Sequence, residues 1–174
     1  MIKSATLGLL ILFMNLLWIR AEQFYVDPLK GSDTNSGTKA QPLKNLLEAA
    51  RRVNLNKQQG ETTIILSEGI HILTQTVLFN NDKYSVNNRL IIRAEVMPDD
   101  ANWTPDKMPV IITAVPLEPG IGGEEAKGIQ TEVSHVTIEG LRFTGSPDYT
   151  YLDHDNLRRS YPIWRDGKKL DDFW

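Results

Sequence analysis

Asp153-His154-Asp155 is the compact cluster of metal-binding or acid–base side chains in this 174-residue chain. Two carboxylates flanking an imidazole are donor types that hold Ca²⁺ or seat a general base. In an extended stretch, Asp153 and Asp155 share one side and His154 faces the other. The three then converge only at a bend, and the stretch reads first as a solvated connection between strands. Asp33 sits beside Gly31 and Ser32, where a carboxylate can ligate a cation, though an Asx turn explains it more simply. His71 and His135 each fall in a strand-like run and read as satisfied or surface strand histidines. Arg142, Arg158, Arg159 and Arg165 are the cations that could meet sugar carboxylates, with scattered surface arginines as the simpler account. Asp171 and Asp172 lie at the end of the sequence and take no role from it alone.

These groups need elements to position them. Phe24 to Val26 is a short apolar strand. It runs into Asp27-Pro28, Gly31-Ser32-Asp33 and Asn35-Ser36-Gly37, a loop dense in turn formers. Leu43, Leu46, Leu47, Ala50 and Val53 then recur with the period of one helix face. Pro42 suits a first helical turn, and Arg51 and Arg52 suit the last. A helix is therefore expected over Leu43 to Val53, with Leu46, Leu47 and Ala50 on its packed face. Beyond Gly60 the texture becomes β-rich: Thr62 to Leu66, Ile70 to Leu73, Thr76 to Phe79, Leu90 to Ala94, Val110 to Ala114 and Val133 to Phe143. The strongest runs recur every 20 to 30 residues or so, the repeat length of a β-solenoid coil. In the last run, Glu139-Gly140 divides two alternating segments, as where a chain turns from one sheet into the next. Asp99 to Pro109 and Pro116 to Gly128 read as loops. The first contains Asn102-Trp103-Thr104, a glycosylation-acceptor pattern that a loop also produces by chance. The second, with Gly120, Gly122 and Gly123, lacks the strand-to-helix setting of a phosphate-binding turn.

The order from Phe24 to Arg52, an aromatic-Val strand, a Gly-Ser-Asp turn, Gly37-Thr38 and a Pro-led helix, resembles the opening of secreted right-handed parallel β-helix proteins. These belong to the pectate-lyase-like superfamily. Val133 to Gly145 resembles one of their coils. The resemblance implies a mainly β fold, a right-handed parallel β-helix with an N-terminal capping α-helix over the open end of the solenoid. It implies a polysaccharide as substrate or ligand, with Ca²⁺ as a cofactor in the lyases. There Ca²⁺ binds the uronate carboxylate, acidifying the C5 proton that a Lys or Arg removes. Hydrolases on the same fold use paired carboxylates. No residue of this chain matches those catalytic positions, so catalytic and metal-binding residues are left unassigned. The chain is expected to stop short of the catalytic region, as the N-terminal part of a lyase or glycoside hydrolase. The alternatives are a non-catalytic β-helix adhesin or glycan-binding module, and a compact β-sandwich with one helix.

Composition fits an exported protein. Lys3, the apolar run Ala5 to Ile19 and Ala21 have the order of a secretory signal. The run is shorter than the roughly 20 residues that span hydrocarbon, so no stable membrane anchor is expected. The formal net charge is −3. Lys3 and Arg20 both lie in the leader and no acid does, so its removal leaves a more acidic chain. That balance disfavours nucleic acid as a partner. The chain has no cysteine, which excludes disulfides and thiolate chemistry. The expected organisation is 1–21 as signal, 22–60 as strand, loop and capping helix, and 61–174 as the first β-helix coils. Sequencing the N-terminus of exported protein is expected to read from Glu22. Met1 retained in a membrane fraction would overturn the signal assignment.

Overall fold

The structure is a computed structural model and describes residues 21–120, 123–145, 160–167 and 170–174. Strand β1 (Glu22–Val26) and helix α1 (Leu46–Leu55) precede three turns of strands. The first turn is β2 (Thr62–Leu66), β3 (Ile70–Leu73) and β4 (Val77–Phe79). The second is β5 (Leu90–Ala94), β6 (Val110–Thr113) and β8 (Gly123–Thr131), with the short β7 (Glu118–Gly120) folded against β8. The third is β9 (Val136–Glu139), β10 (Arg142–Gly145) and β11 (Ser160–Arg165). Each strand pairs with its counterpart one turn later, giving sheets β1-β2-β5-β9, β3-β6-β10 and β4-β8-β11. All of these pairings are parallel; the antiparallel one is β7 with β8. The chain is thus mainly β, with parallel sheets and one helix in a β-helix-like arrangement. An antiparallel sandwich is not what the described residues form.

Register makes the core. Phe24, Ile64 and Ile92 stand in line, as do Val26, Leu66 and Ala94, and all six are buried. Val77 stacks on Ile129, both fully buried, on the third sheet. Each buried aliphatic side chain contributes roughly 1.5–3 kcal/mol, and in a stack it does so only with its neighbour in register. Gly140 makes the corner between β9 and β10 at φ 69°. A Cβ there would lie 2.7 Å from Met97 Sδ and 3.0 Å from the Ala94 Cβ, so conformation and space both demand glycine.

The helix starts three residues later than expected. Leu43 is extended: its N–H donates to Tyr25 O and its C=O accepts from Asp27 N, both at 2.8 Å. Pro42 is therefore not in a first helical turn. The buried face is Leu46, Ala49, Ala50 and Val53, while Leu47 is 38% exposed. The apolar period alone could not separate the two leucines, because both fall within reach of one helical stripe. The helix packs on β4, β1 and β3. Asn54, in the last turn of α1, acts as a piece of neighbouring strand: its Nδ2 donates to Leu78 O (2.8 Å) and its Oδ1 accepts from Asn80 N (3.1 Å). Asn81 returns the favour, donating to the Val53 and Asn56 carbonyls at the helix end.

Pro116 to Gly128 is not simply a loop, since β8 begins at Gly123 and pairs with both β4 and β11. Its outward positions include Glu125, Lys127 and Gln130, which erase the apolar alternation that betrays a strand. Strand β11 was hidden by Pro162, which argues against a strand in sequence. Tyr161 and Ile163 pair on either side of it and Pro162 itself is left out of the register.

Leu46→Ala is expected to cost about 2–5 kcal/mol in urea unfolding. Leu47→Asp is expected to cost about 1 kcal/mol or less. Asn54→Ala, which strips two groups at the β4 edge, is expected to cost about 1–3 kcal/mol and to raise aggregation. A larger loss for Leu47→Asp than for Leu46→Ala would contradict this packing.

Candidate functional site

The sequence candidates scatter in the structure. Asp153, His154, Asp155, Arg158 and Arg159 lie outside the described residues, as does the leader, residues 1–20. Asp33 neither forms a local Asx turn nor faces an open cation site. Its Oδ1 accepts the N–H groups of Lys44 (3.0 Å) and Asn45 (2.9 Å), its Oδ2 accepts from Asn45 Nδ2, and its own carbonyl accepts from Arg52. It fastens the loop to the start of α1. The Asx turn belongs to Asp27, whose Oδ1 accepts from Leu29 and Lys30. His71 is buried with its Nε2 3.0 Å from Ser67 O, and burial pushes its pKa down. Arg142 is exposed. Arg165 lies over the Phe173 ring at 5.8 Å.

His135 and Asp172 do come together, at the corner that leads into the first sheet. His135 Nδ1 lies 2.9 Å from Asp172 Oδ2, which Arg89 Nη1 also reaches, while the Trp174 indole N–H donates to Oδ1. Arg89 goes on to Thr137 Oγ1 (3.0 Å) and to the carbonyls of Val136 and Asp172. His135 and Asp172 are the positive-φ non-glycine residues among those described, at 61° and 56°, so each side of the contact holds backbone strain. Hydrogen bonds from His135, then Arg89 and Trp174, hold the Asp172 carboxyl well below the usual carboxylate range. Its partners belong to successive turns of the chain. Arg89 precedes Leu90 as His135 precedes Val136, and those two are register partners. The cluster is an ionic tie between turns. Arg89 was not singled out from sequence, yet its equal offset from an equivalent strand was the signal.

A cavity of about 530 Å³ lies between α1 and the β3–β4 segment. Its charged groups already have partners. Glu48 accepts from Arg51 and Arg52, which brings its pKa down to about 2, the Arg51 bond leading, and Asp33 is used as above. It reads as the seam beneath the cap.

The outer face of the third sheet is different. A cleft of about 330 Å³ is lined by Thr76, Leu78, Val115, Pro116, Glu125, Lys127 and Gln130. Lys127 Nζ is 3.1 Å from Glu125 Oε2, with side chains 22% and 12% exposed. The same ammonium lies 4.9 Å from the centroid of Trp164, which packs on Tyr161 at 4.6 Å. Thr76 Oγ1 donates to Lys127 O at 2.9 Å, fixing the backbone beneath. The aromatic pair and the carboxylate together hold one lysine in one place, beside an apolar floor of Leu78, Val115 and Pro116. Glu125, Lys127 and Gln130 did not stand out in sequence, because β8 was not legible as a strand. Among the described residues no group of three or more His, Asp or Glu side chains could hold a metal ion.

No family model matches the chain, and no curated protein matches it. Among solved structures, it is similar to a GH136 lacto-N-biosidase from Eubacterium ramulus, at 17% identity and a TM-score of 0.48. That likeness covers 71% of this chain and 20% of the other, so the chain spans about a fifth of that protein. At this identity and score it carries no argument about activity.

Acid titration tests the corner cluster. A carboxyl whose folded pKa is depressed stabilises the fold above its unfolded value, and that stability is lost as pH falls through the folded pKa. Asp172→Asn is expected to be less stable than the parent at pH 7. The gap should hold down to about pH 4, the unfolded aspartate range, and shrink steadily below it. A gap that does not change with acid would show that Asp172 is not held as an anion.

Proposed function

We propose that this chain belongs to an exported right-handed parallel β-helix protein of the pectate-lyase-like kind, and that it engages extracellular polysaccharide. The observation that carries the reading is the cleft on the outer face of β4-β8-β11. It combines an apolar floor with a fixed donor, Lys127, and a fixed acceptor, Glu125. A sugar ring presents the matching pair of surfaces, apolar C–H faces and a rim of hydroxyls. The strand-loop-helix opening and the in-register parallel turns support the β-helix part of the reading.

Binding is favoured over cleavage at this place. Hydrolysis by paired carboxylates needs two carboxyl groups across one bond, and the cleft lining contributes one, Glu125. That carboxylate is also committed to Lys127. The role of this part of the chain is thus to hold a glycan strand, whether the whole protein is a lyase, a hydrolase or an adhesin. Affinity electrophoresis through gels containing a polysaccharide panel is expected to retard the protein in at least one gel. Trp164→Ala, which removes the ring that steadies Lys127, is expected to weaken that retardation about tenfold, equivalent to about 1.4 kcal/mol. Free migration in every gel would end the reading.

A further inference from the structure

Resting on that reading, we infer that the cleft of the third sheet takes a neutral glycan and rejects a polyuronate. Among the described residues, the charged ones in its lining are Glu125 and Lys127, and they face each other at 3.1 Å. The cleft therefore has a donor and an acceptor but no net charge. A uronate carboxylate could reach the Lys127 ammonium only by displacing Glu125 or by lying against it. The first exchanges one ion pair for another and strands a carboxylate that is 12% exposed. The second sets two like charges side by side. Neutral hydroxyls meet neither obstacle. The ammonium has three N–H donors and the carboxylate has spare lone pairs, so hydroxyl groups can bond to both while the pair stays intact.

The cation that follows Trp164 on β11 is engaged elsewhere. Arg165 lies over Phe173. Gln130, also in the lining, is tied to Glu132 through Nε2 at 2.8 Å and keeps its amide oxygen as a further acceptor for hydroxyls. Trp164, on the ring face that Lys127 covers, limits how far the ammonium can swing toward a charged ligand. A cleft of about 330 Å³ is at the small end of the roughly 300–1,000 Å³ of ligand sites, suited to a short stretch of a chain that continues along the face.

The test compares two neutral polysaccharides, galactomannan and laminarin, with two acidic ones, polygalacturonate and alginate, by affinity electrophoresis and calorimetry at low and high salt. The parent protein is expected to bind a neutral glycan with less than twofold change between about 0.02 and 0.5 M salt, since no net charge is screened. Glu125→Gln frees the ammonium and is expected to gain salt-sensitive affinity for polygalacturonate or alginate, by about tenfold or more. Lys127→Met is expected to lose about tenfold for the neutral glycan. Arg142→Ala, on another sheet, is expected to bind as the parent does. Circular dichroism confirms that each variant is folded. Salt-sensitive binding of the parent to a polyuronate in preference to neutral glycans would overturn the inference and leave the polysaccharide reading standing. Neutral binding unchanged in Lys127→Met would overturn the location. Binding to none of the four would overturn the inference and the broader reading together.

Discussion

The first edge of a stack of parallel strands carries backbone N–H and C=O groups that have no earlier strand to meet. Left bare, those groups cost free energy if buried and recruit other chains if exposed. The residues between Asp27 and Asn56 answer that need with different chemistry at different sheets. At the first sheet, Leu43 runs beside β1 and exchanges backbone hydrogen bonds with Tyr25 and Asp27. At the third, a helix cannot offer backbone partners because its own ladder uses them. The Asn54 side chain does so instead, since a carboxamide has the same donor and acceptor as a peptide. Asp33 then fixes where the extended segment ends and the helix begins.

Once the edge is closed, each later turn is stabilised chiefly by the turn before it. That explains why the interior stacks are of apolar residues in register. Outward positions have no neighbour to complement inside the core. Glu125, Lys127 and Gln130 can therefore sit on β8 between apolar inward residues without disturbing the stack. The corner tie follows the same logic. Arg89, His135 and Asp172 occupy equivalent or adjoining places on successive turns, so one carboxylate can serve both of its cationic or hydrogen-bonding neighbours.

Sequence made the strands with apolar alternation legible, and it placed the Gly140 corner where the chain does turn. It failed where the outer face carries charge, on β8, and where Pro162 interrupts β11. The helix was legible as a helix, but its start was not. The choice between Leu43 as helix and Leu43 as strand rests on hydrogen bonds to Tyr25 and Asp27, which local pattern does not contain. The cleft was invisible for the same reason. Thr76 just before β4, Glu125 and Lys127 on β8, and Trp164 on β11 are far apart in sequence, and only the register brings them to one face. The His135–Asp172 contact was hidden likewise, although the shared offset of Arg89 and His135 before paired strands was present in the sequence.

The two charged clusters differ in a way that bears on function. Asp172 receives donors from His135, Arg89 and Trp174, so its capacity is taken up within the fold. A group used so fully stabilises and has little left to offer a ligand. Lys127 and Glu125 satisfy each other with one contact, and the remaining ammonium hydrogens and carboxylate lone pairs open toward a cleft. The tilted packing of Tyr161 on Trp164, with the Trp164 ring beneath the ammonium, has already met part of the entropic cost of ordering a long side chain. A ligand that bonds to the pair meets a lysine already ordered, so less of that cost falls on binding.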